Sequence, residues 1–251
     1  MDRLDTVGEY LLETRNLSKR FSGLEAVKSV SMRLERGTGV QAIIGPNGAG
    51  KTTLVSLISG RLRPTSGRIY YRGMDITNLP AHKRASMGIV YTFQIVSLFP
   101  SLTVLENVAV AAQRTLEHGI FRRVGSDLAY RHAEKILGMV GLEDEAEQEA
   151  ASLPYGHQRL LDIGIALALE PVLLILDEPT QGLSVDEIAK ITNLVRVLSK
   201  HTNILLIEHN IRVVMELAQK ITVMADGSVI LEGTPSEVEK DVQVQRIYLG
   251  G

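Results

Sequence analysis

A glycine-rich segment at residues 45–53 constrains the fold of this chain more than any other part of its sequence. It consists of Gly45, Pro46, Asn47, Gly48, Ala49, Gly50, Lys51, Thr52 and Thr53. The apolar run 40–44 comes directly before it, and apolar residues at helical spacing follow in 54–58. The sequence therefore predicts a strand, a phosphate-binding loop and a helix in succession. The alternative, a glycine-rich surface loop without a ligand, would not require this arrangement.

The residue types of this loop suit a nucleoside triphosphate. Glycines let the backbone turn its N–H groups onto a polyphosphate, and the N-terminus of the following helix adds a partial positive charge. We expect Lys51 to reach the β and γ phosphates and the Thr52 hydroxyl to bind Mg²⁺.

Composition limits what can surround the loop. The chain has 251 residues, 45% of them hydrophobic, enough for one large domain or a domain with a subdomain. Its formal charge of −2 gives no net positive field of the kind that attracts nucleic acid or an anionic membrane surface. It has no cysteine for disulfides or thiolate metal sites, which fits a reducing compartment such as the cytoplasm. We expect neither a secretion signal in 1–10 nor a membrane-spanning segment.

The first third of the chain outside the loop has the pattern of antiparallel strands. Short apolar–polar alternation predicts strands over 10–15, 29–34 and 68–71. Turn signals separate these strands at 22–23, 36–37 and 64–67.

A helical region is predicted next, over about 99–151. It contains one helix over 103–117, with Val104, Val108 and Ala111 on one face, and a second over 127–140. The inward face of the second helix is predicted to comprise Leu128, Ile136, Leu137 and Val140. We expect 119–126 to be a mobile, basic connector.

The last third alternates strands with helices. Strands are predicted over 172–176, 204–207, 221–224 and 229–231, and helices over 184–199 and 210–218. Alternation of this kind predicts right-handed crossovers and a parallel sheet.

Two acidic residues follow the apolar run 173–176, namely Asp177 and Glu178. A buried parallel strand would deliver both carboxylates to the sheet edge where doubly wound folds bind ligands. We expect Asp177 to hold Mg²⁺ and Glu178 to polarise the water that attacks the γ phosphate. The alternative is a pair of solvated acids that begin the turn before Pro179.

Together with segment 153–159, these motifs resemble the ATP-binding subunits of ABC transporters. The segment reads Leu153, Pro154, Tyr155, Gly156, His157, Gln158 and Arg159, and it resembles the family's signature loop. The resemblance implies an α/β fold: a P-loop NTPase core with a mostly parallel sheet, an N-terminal antiparallel β subdomain and an inserted α-helical subdomain over about 99–160. All of this would form a single ABC ATPase domain, 1–251.

The same resemblance implies a nucleotide site completed by a second subunit. ATPase domains of this family pair head to tail, and each signature loop closes over the ATP of the other. Tyr155, Gly156 and Gln158 are then expected to contact that nucleotide, Gly156 through its backbone. Pro154 replaces the usual serine, so its hydroxyl donor is lost. The apolar helix that follows is expected over 160–169.

Further residues match the family in chain order. Gln94 is similar to the Q-loop glutamine, which senses Mg²⁺ and the γ phosphate, and His209 to the switch histidine at that phosphate. Phe21 is similar to the aromatic residue on which adenine stacks. Without the resemblance, His209 would be read as a structural histidine. For Phe21 the alternative is an ordinary core position. Ser184 departs from the family's usual aspartate.

Within the family, the chain resembles the ATPase subunits of branched-chain amino-acid importers through segments 155–159, 207–210, 232–235 and 244–250. This resemblance implies ATP hydrolysis coupled to import, at the cytoplasmic face of the membrane as a peripheral subunit. The implied partners are integral membrane permease subunits, a second ATPase subunit in a homo- or heterodimer, and indirectly a solute-binding protein, with no nucleic acid.

Other functions remain open at this stage. An importer of urea, amides or another small polar solute would share these motifs. A soluble ABC-type ATPase of DNA repair or chromosome maintenance would usually have a long coiled coil between its motifs, and no heptad run lies between Lys51 and Asp177. A P-loop kinase would lack the signature loop. A regulatory ABC subunit with poor hydrolysis is disfavoured by Glu178 and His209.

Overall fold

A computed structural model describes residues 10–37, 39–92, 98–116 and 126–249. Its strands form two sheets, one of four strands and one of six, and its helices lie between and around them. This is the mixed architecture predicted from the sequence.

The four-stranded sheet is antiparallel and comes mainly from the N-terminal part of the chain. Its strands are β1 (Tyr10–Phe21), β2 (Leu24–Glu35), β4 (Ser66–Tyr71) and β5 (Met74–Asp75), in the order β2-β1-β4-β5. The predicted strands are confirmed, and β1 and β2 extend to the turn at 22–23. The predicted turn 64–67 is shorter than expected, because β4 already begins at Ser66.

The six-stranded sheet is parallel except at one edge. Its strands are β3 (Val40–Ile44), β6 (Ile89–Thr92), β7 (Leu173–Asp177), β8 (Asn203–Ile207), β9 (Lys220–Ala225) and β10 (Ser228–Gly233), in the order β10-β9-β3-β8-β7-β6. Only β10 pairs antiparallel, with β9. The order places β3, which leads into the phosphate-binding loop, beside β8, and β7 on the other side of β8. The ends of these strands therefore converge on one edge of the sheet.

Helices connect the strands. They are α1 (Lys51–Ile58), α2 (Ala81–Ser86), α3 (Val104–Leu116), α4 (Ser126–Val140), α5 (Tyr155–Leu167), α6 (Val185–Leu198), α7 (Ile211–Leu217), α8 (Pro235–Lys240) and α9 (Val242–Leu249), with a 3-10 turn at Ala150–Ser152. Ser184 caps α6 and Thr234 caps α8, and each forms a capping box with the glutamate three residues later.

The six-stranded sheet separates two apolar cores. Along β7, Leu174 and Leu176 face one core, whereas Leu173 and Ile175 face the other. The first core also contains the buried faces of α3, α4 and α5, and the second contains α1 and the inner face of the antiparallel sheet. Burial on both faces explains why the parallel strands read as continuous apolar runs in the sequence.

The predicted inward face of α4 needs one correction. Ile136, Leu137 and Val140 are buried as expected, but Leu128 is 56% exposed. The buried positions one and two turns before Ile136 and Leu137 are the small residues Ala129 and Ala133, which let α4 pack closely on α3 and α5. The side chain at 128 lies outside that stripe. Most of the predicted connector at 119–126 lies outside the described residues.

In the part of the chain that the structure describes, no helix combines the length and the apolar character needed to cross a membrane.

Candidate functional site

The phosphate-binding loop runs from the end of β3 to the start of α1, as predicted. Gly45 has φ +155° and Gly50 has φ +96°, and at both positions a Cβ would lie 2.2 Å from a backbone carbonyl oxygen. The oxygen belongs to Met224 in the first case and to Ala26 in the second. Only glycine fits such close approaches at a positive φ, so β2 and β9 fix the shape of the loop from both sides.

Lys51 is the first residue of α1 and is 5% exposed. Its Nζ donates to the carbonyl oxygens of Gly45 (2.8 Å) and Pro46 (3.0 Å). Burial lowers the pKa of Lys51, and the nearby carboxylates of Glu178 and Asp177 oppose that shift. The loop thus holds a buried ammonium group against neutral carbonyl groups, where an anionic phosphate would be a stronger partner.

Asp177 ends β7 and is 1% exposed. Its Oδ2 accepts a hydrogen bond of 2.7 Å from the Tyr91 hydroxyl, while its Oδ1 is buried and has no hydrogen-bond partner. Burial raises the pKa of Asp177, and so does Glu178, against the hydrogen bond from Tyr91 and the charge of Lys51. A buried carboxylate oxygen without a donor is the kind of group that a bound cation would satisfy.

Glu178 and His209 meet at this edge of the sheet. Oε1 of Glu178 lies 2.6 Å from Nε2 of His209. The side chain of Glu178 is 8% exposed and that of His209 is 39% exposed, so the pair bridges the buried end of β7 and the solvent. Glu178 adopts φ +52°, and its N–H donates to the carbonyl of Ile207 (2.8 Å).

One cavity brings most of the predicted residues together. Residues 47–53, including Thr52 and Thr53, line it along with Phe21, Glu178 and His209. Phe21 is 41% exposed, which distinguishes it from a core residue, and the Lys19 ammonium lies 5.1 Å from its ring centre. The cavity therefore has both an aromatic side chain and the phosphate-binding loop in its lining.

The signature segment lies apart from this cavity in the single chain. The helix that follows it begins earlier than expected, at Tyr155 rather than 160, with Pro154 as its N-cap. Tyr155, Gly156 and Gln158 thus belong to its first turn. The Gln158 N–H donates to the Pro154 carbonyl (3.0 Å), and the N–H groups before it lack helical partners. The Gln158 amide donates to the Leu153 carbonyl (3.0 Å).

Gly156 is buried beneath the N-terminal turn of α6. A Cβ at this position would lie 2.0 Å from Oε1 of Glu187. The same glutamate accepts hydrogen bonds from the backbone and hydroxyl of Ser184. Serine in place of the family's usual aspartate is thus accounted for as a helix cap.

Gln94, the remaining predicted site residue, lies outside the described residues. Two residues that the sequence did not single out are part of the site. Tyr91 bonds Asp177 from β6, and Glu208 contacts both the loop after β7 and the loop after β8. Their positions in the sequence could have indicated them, because Tyr91 stands three residues before Gln94 and Glu208 stands directly before His209.

Comparisons with known proteins agree with this geometry. The sequence profile of the ABC transporter family matches residues 27–181. The high-affinity branched-chain amino acid transport ATP-binding protein LivG of Salmonella typhimurium is 39% identical, over 96% of this chain and 98% of its own length. BraF of Pseudomonas aeruginosa, a protein of the same description, is 37% identical over 96% and 98%. The lipopolysaccharide export ATP-binding protein LptB of Acidithiobacillus ferridurans is 33% identical over 96% and 97%.

Solved structures extend the likeness to three dimensions. An ATP-binding cassette of an ABC transporter, MJ1267 in its ADP conformation, matches with a TM-score of 0.83 at 32% identity, over 96% of this chain and 99% of that one. A dimeric post-hydrolysis state of the cassette MJ0796, bound to ADP and phosphate, matches with a TM-score of 0.78 at 26% identity, over 89% and 98%. The match in sequence, fold and loop geometry shows that this chain belongs to the ABC transporter family, as an ATP-binding cassette that hydrolyses ATP.

Proposed function

We propose that this chain powers an ABC importer of branched-chain amino acids by binding and hydrolysing ATP. The observation that carries the hydrolytic part is the pair of Glu178 and His209 at 2.6 Å, which borders the same cavity as Lys51. The choice of branched-chain amino acids as the solute is supported by relatives described as transport ATP-binding proteins for these amino acids. These relatives share 37–39% identity over nearly the whole chain.

In this proposal, ATP lies along the cavity from Phe21 to Lys51. Phe21 stacks on the adenine ring, since its face is exposed at the cavity wall. Residues 45–53 surround the phosphates, with backbone N–H groups at the start of α1 and the Lys51 ammonium as donors. Lys51 then exchanges two neutral carbonyl partners for phosphate oxygens, a stronger, charge-assisted interaction.

Mg²⁺ fits the donors beside the phosphates. The Thr52 hydroxyl and the partnerless Oδ1 of Asp177 are hard oxygen ligands, which this ion prefers. We propose Gln94 as a third contact of the ion. When bound, the ion would neutralise charge on the β and γ phosphates.

Hydrolysis requires a base near the γ phosphate. Glu178 accepts the proton of the attacking water, and His209 orients the Glu178 carboxylate and contacts the γ phosphate. The 2.6 Å contact between Glu178 and His209 supports this division of roles.

A second ATPase subunit, identical or related, completes the proposed site. Tyr155, Gly156 and Gln158 present the first turn of α5 to the nucleotide of the other subunit, in a head-to-tail pair. Glu187 covers Gly156 in the single chain, so its side chain would turn away before a phosphate approached. A dimeric relative bound to ADP and phosphate supports a paired arrangement.

We further propose that residues 1–251 form one ATPase domain with a helical subdomain over about 99–160. The subdomain and Gln94 would transmit closure to integral membrane permease subunits, with 103–107 as the docking neighbourhood. The chain would then lie peripherally at the cytoplasmic face of the membrane and serve a solute-binding protein indirectly. We propose that nucleic acid is not among the partners of this chain.

Replacing the proposed base tests the hydrolytic role. We expect Glu178→Gln to lower kcat for ATP by about 10²-fold or more, because the amide cannot accept the proton of the attacking water. Affinity for ATP should stay within about threefold, since Glu178 is not one of the donors that hold the phosphates. Phosphate release gives the rate, and fluorescence titration with a labelled ATP gives the affinity. Normal turnover by this variant would exclude Glu178 as the base.

The solute needs a separate experiment in the native host. Tagged chain is purified from gently solubilised membranes in the presence of MgATP, and its partners are identified by mass spectrometry. Permease subunits together with a leucine-binding protein support the proposal. A urea- or amide-binding protein would support the second importer candidate instead, and lipopolysaccharide export components would redirect the assignment towards the function of LptB.

A further inference from the structure

We infer that Glu208 is a positioning residue, which joins the loop after β7 to the loop after β8 and so holds His209 against Glu178. This inference rests on the proposed function, because it assigns a role to Glu208 in the same hydrolytic site. Glu208 directly follows β8, and only 2% of its surface is exposed.

Each oxygen of the Glu208 carboxylate serves one of the two loops. Oε1 accepts hydrogen bonds from the Thr180 backbone N–H (3.0 Å) and from the Thr180 hydroxyl. Oε2 accepts from the N–H groups of His209 (2.9 Å) and Asn210 (3.1 Å). One buried side chain therefore joins two loops that are distant in the chain, since Thr180 lies 28 positions before Glu208.

The two loops that Glu208 joins carry the two members of the hydrolytic pair. Thr180 lies two residues after Glu178 and is 5% exposed, so its own position is well defined. His209 differs, because 39% of its side chain is exposed and packing constrains it less. The hydrogen bond from the His209 backbone N–H to the Glu208 carboxylate supplies part of the restraint on His209 that packing does not provide.

The chemistry of the site requires a carboxylate. All four groups that donate to Glu208 are neutral N–H or O–H groups, and a carboxylate has lone pairs for four donors and no hydrogen of its own. A glutamine has the same shape, but its NH₂ group would face the donors of one loop. Glu208→Gln is therefore predicted to release either Thr180 or His209.

Steady-state kinetics test the inference. We expect Glu208→Gln to lower kcat about ten- to a hundredfold, the loss expected when a catalytic group moves by about 1 Å. KM and the affinity for a labelled ATP should change by less than about threefold, since the phosphate-binding loop is untouched. A fall in ATP affinity that matches the fall in kcat would instead indicate general damage and would overturn the inference.

A double variant shows whether Glu208 acts through His209. His209→Ala removes the group that Glu208 positions, so adding Glu208→Gln to it should slow single-turnover hydrolysis by no more than about twofold further. If the two losses multiply, Glu208 acts on something other than His209, and the inference fails.

Thr180 gives a milder pair of variants in case Glu208→Gln does not fold. Thr180→Val keeps the shape and loses the hydroxyl donor, and we expect kcat to fall about three- to tenfold. Thr180→Ser keeps the hydroxyl and should retain kcat within about twofold. Equal rates for the two Thr180 variants would contradict the inference.

The wild-type chain separates failure of this inference from failure of the proposed function. If purified wild type does not hydrolyse ATP, the proposed function fails first. If wild type is active and His209→Ala is slow, but Glu208→Gln and Thr180→Val both match wild type, the inference about Glu208 fails alone.

Discussion

At the scale of single residues, the candidate site concentrates charge where water is scarce. Lys51, Asp177 and Glu178 are each at most 6% exposed, and they carry one positive and two negative charges. Burial raises the pKa of Asp177 and lowers the pKa of Lys51, so for both residues burial disfavours the charged form. These residues are placed for a ligand at the expense of stability.

Lys51 should be required for nucleotide binding. We expect Lys51→Ala to weaken the affinity for ATP at least about tenfold, because a buried ammonium donor to the phosphates is lost. Isothermal titration calorimetry measures the effect, and Lys190→Ala, which changes an exposed lysine on α6, is the matched control. Equal affinity in the Lys51 and Lys190 variants would rule out the phosphate-binding role of Lys51.

Ionised Asp177 should lower the stability of the nucleotide-free protein, and the size of this effect should depend on pH. Its pKa in the folded protein is raised from 3.8, so the folded state holds this proton more tightly than the unfolded state does. The stability contributed by protonated Asp177 is therefore present below pH 3.8 and is lost as the pH rises through the folded pKa.

Asp177→Asn removes that titration while keeping an oxygen for the Tyr91 hydroxyl. We expect the nucleotide-free variant to have a higher Tm than wild type near neutral pH, and the difference to shrink as the pH falls towards about 4. Thermal unfolding of both proteins across this range, in the same buffers, gives the comparison. A difference in Tm that is constant with pH would show that ionisation of Asp177 is not its cause.

At the scale of elements, the helix after the phosphate-binding loop depends on a buried arginine. Arg84 of α2 is 1% exposed, and its guanidinium donates to the carbonyls of Leu57 and Ile58 at the end of α1 (both 2.7 Å). It also donates to the carbonyls of Leu79 and Thr77. Burial lowers the pKa of Arg84 to about 10. Arg84 thus provides partners for carbonyl groups that a helix C-terminus leaves unsatisfied.

Loss of that arginine should destabilise the whole protein. We expect Arg84→Met to lower the free energy of unfolding by about 3 kcal/mol or more, because several buried carbonyl groups lose their donor. Urea unfolding followed by circular dichroism measures this change. Arg68→Met is the control, since Arg68 is exposed and its bond to Asp75 is a surface ion pair, so its replacement should have little effect.

The elements also show what the sequence could predict. β7 and β8 were predictable because continuous apolar runs mark strands buried on both faces, and α6 because Ser184 caps it. Leu128 was wrongly assigned to a buried face, because two alanines pack there and hydrophobicity alone does not distinguish them. The early start of α5 was missed because Pro154 and Gly156 usually disfavour helix, although proline is tolerated at an N-terminus.

The contacts inside the site were predictable only in part. The order of Lys51, Asp177, Glu178 and His209 along the chain pointed to a common site, and the cavity brings Lys51, Glu178 and His209 together. The hydrogen bond from Tyr91 to Asp177 and the hydrogen bonds from Thr180 to Glu208 depend on which strands are neighbours in the sheet. A single sequence does not contain that order explicitly, so neither partner could be named beforehand.

At the scale of the whole molecule, the six-stranded sheet separates two apolar cores, and different elements pack against each of its faces. The helices α3, α4 and α5 pack against one face, and α1 with the antiparallel sheet packs against the other. Asp177, Glu178 and His209 lie at the ends of strands shared by both cores. Both cores therefore contact the strands that carry Glu178 and His209 to the edge of the sheet.

The close contacts of Gly45 and Gly50 have a consequence for the order in which the protein matures on the ribosome. Gly45 packs on the carbonyl of Met224, and the N–H of Gly227 donates to the carbonyl of Ala49 (3.1 Å). A nascent chain that ends before residue 224 already contains every residue that would hold the phosphates, yet it lacks one wall of the loop. The loop would therefore reach its folded shape, and the cassette its hold on ATP, only after β9 and the turn that follows it have left the exit tunnel.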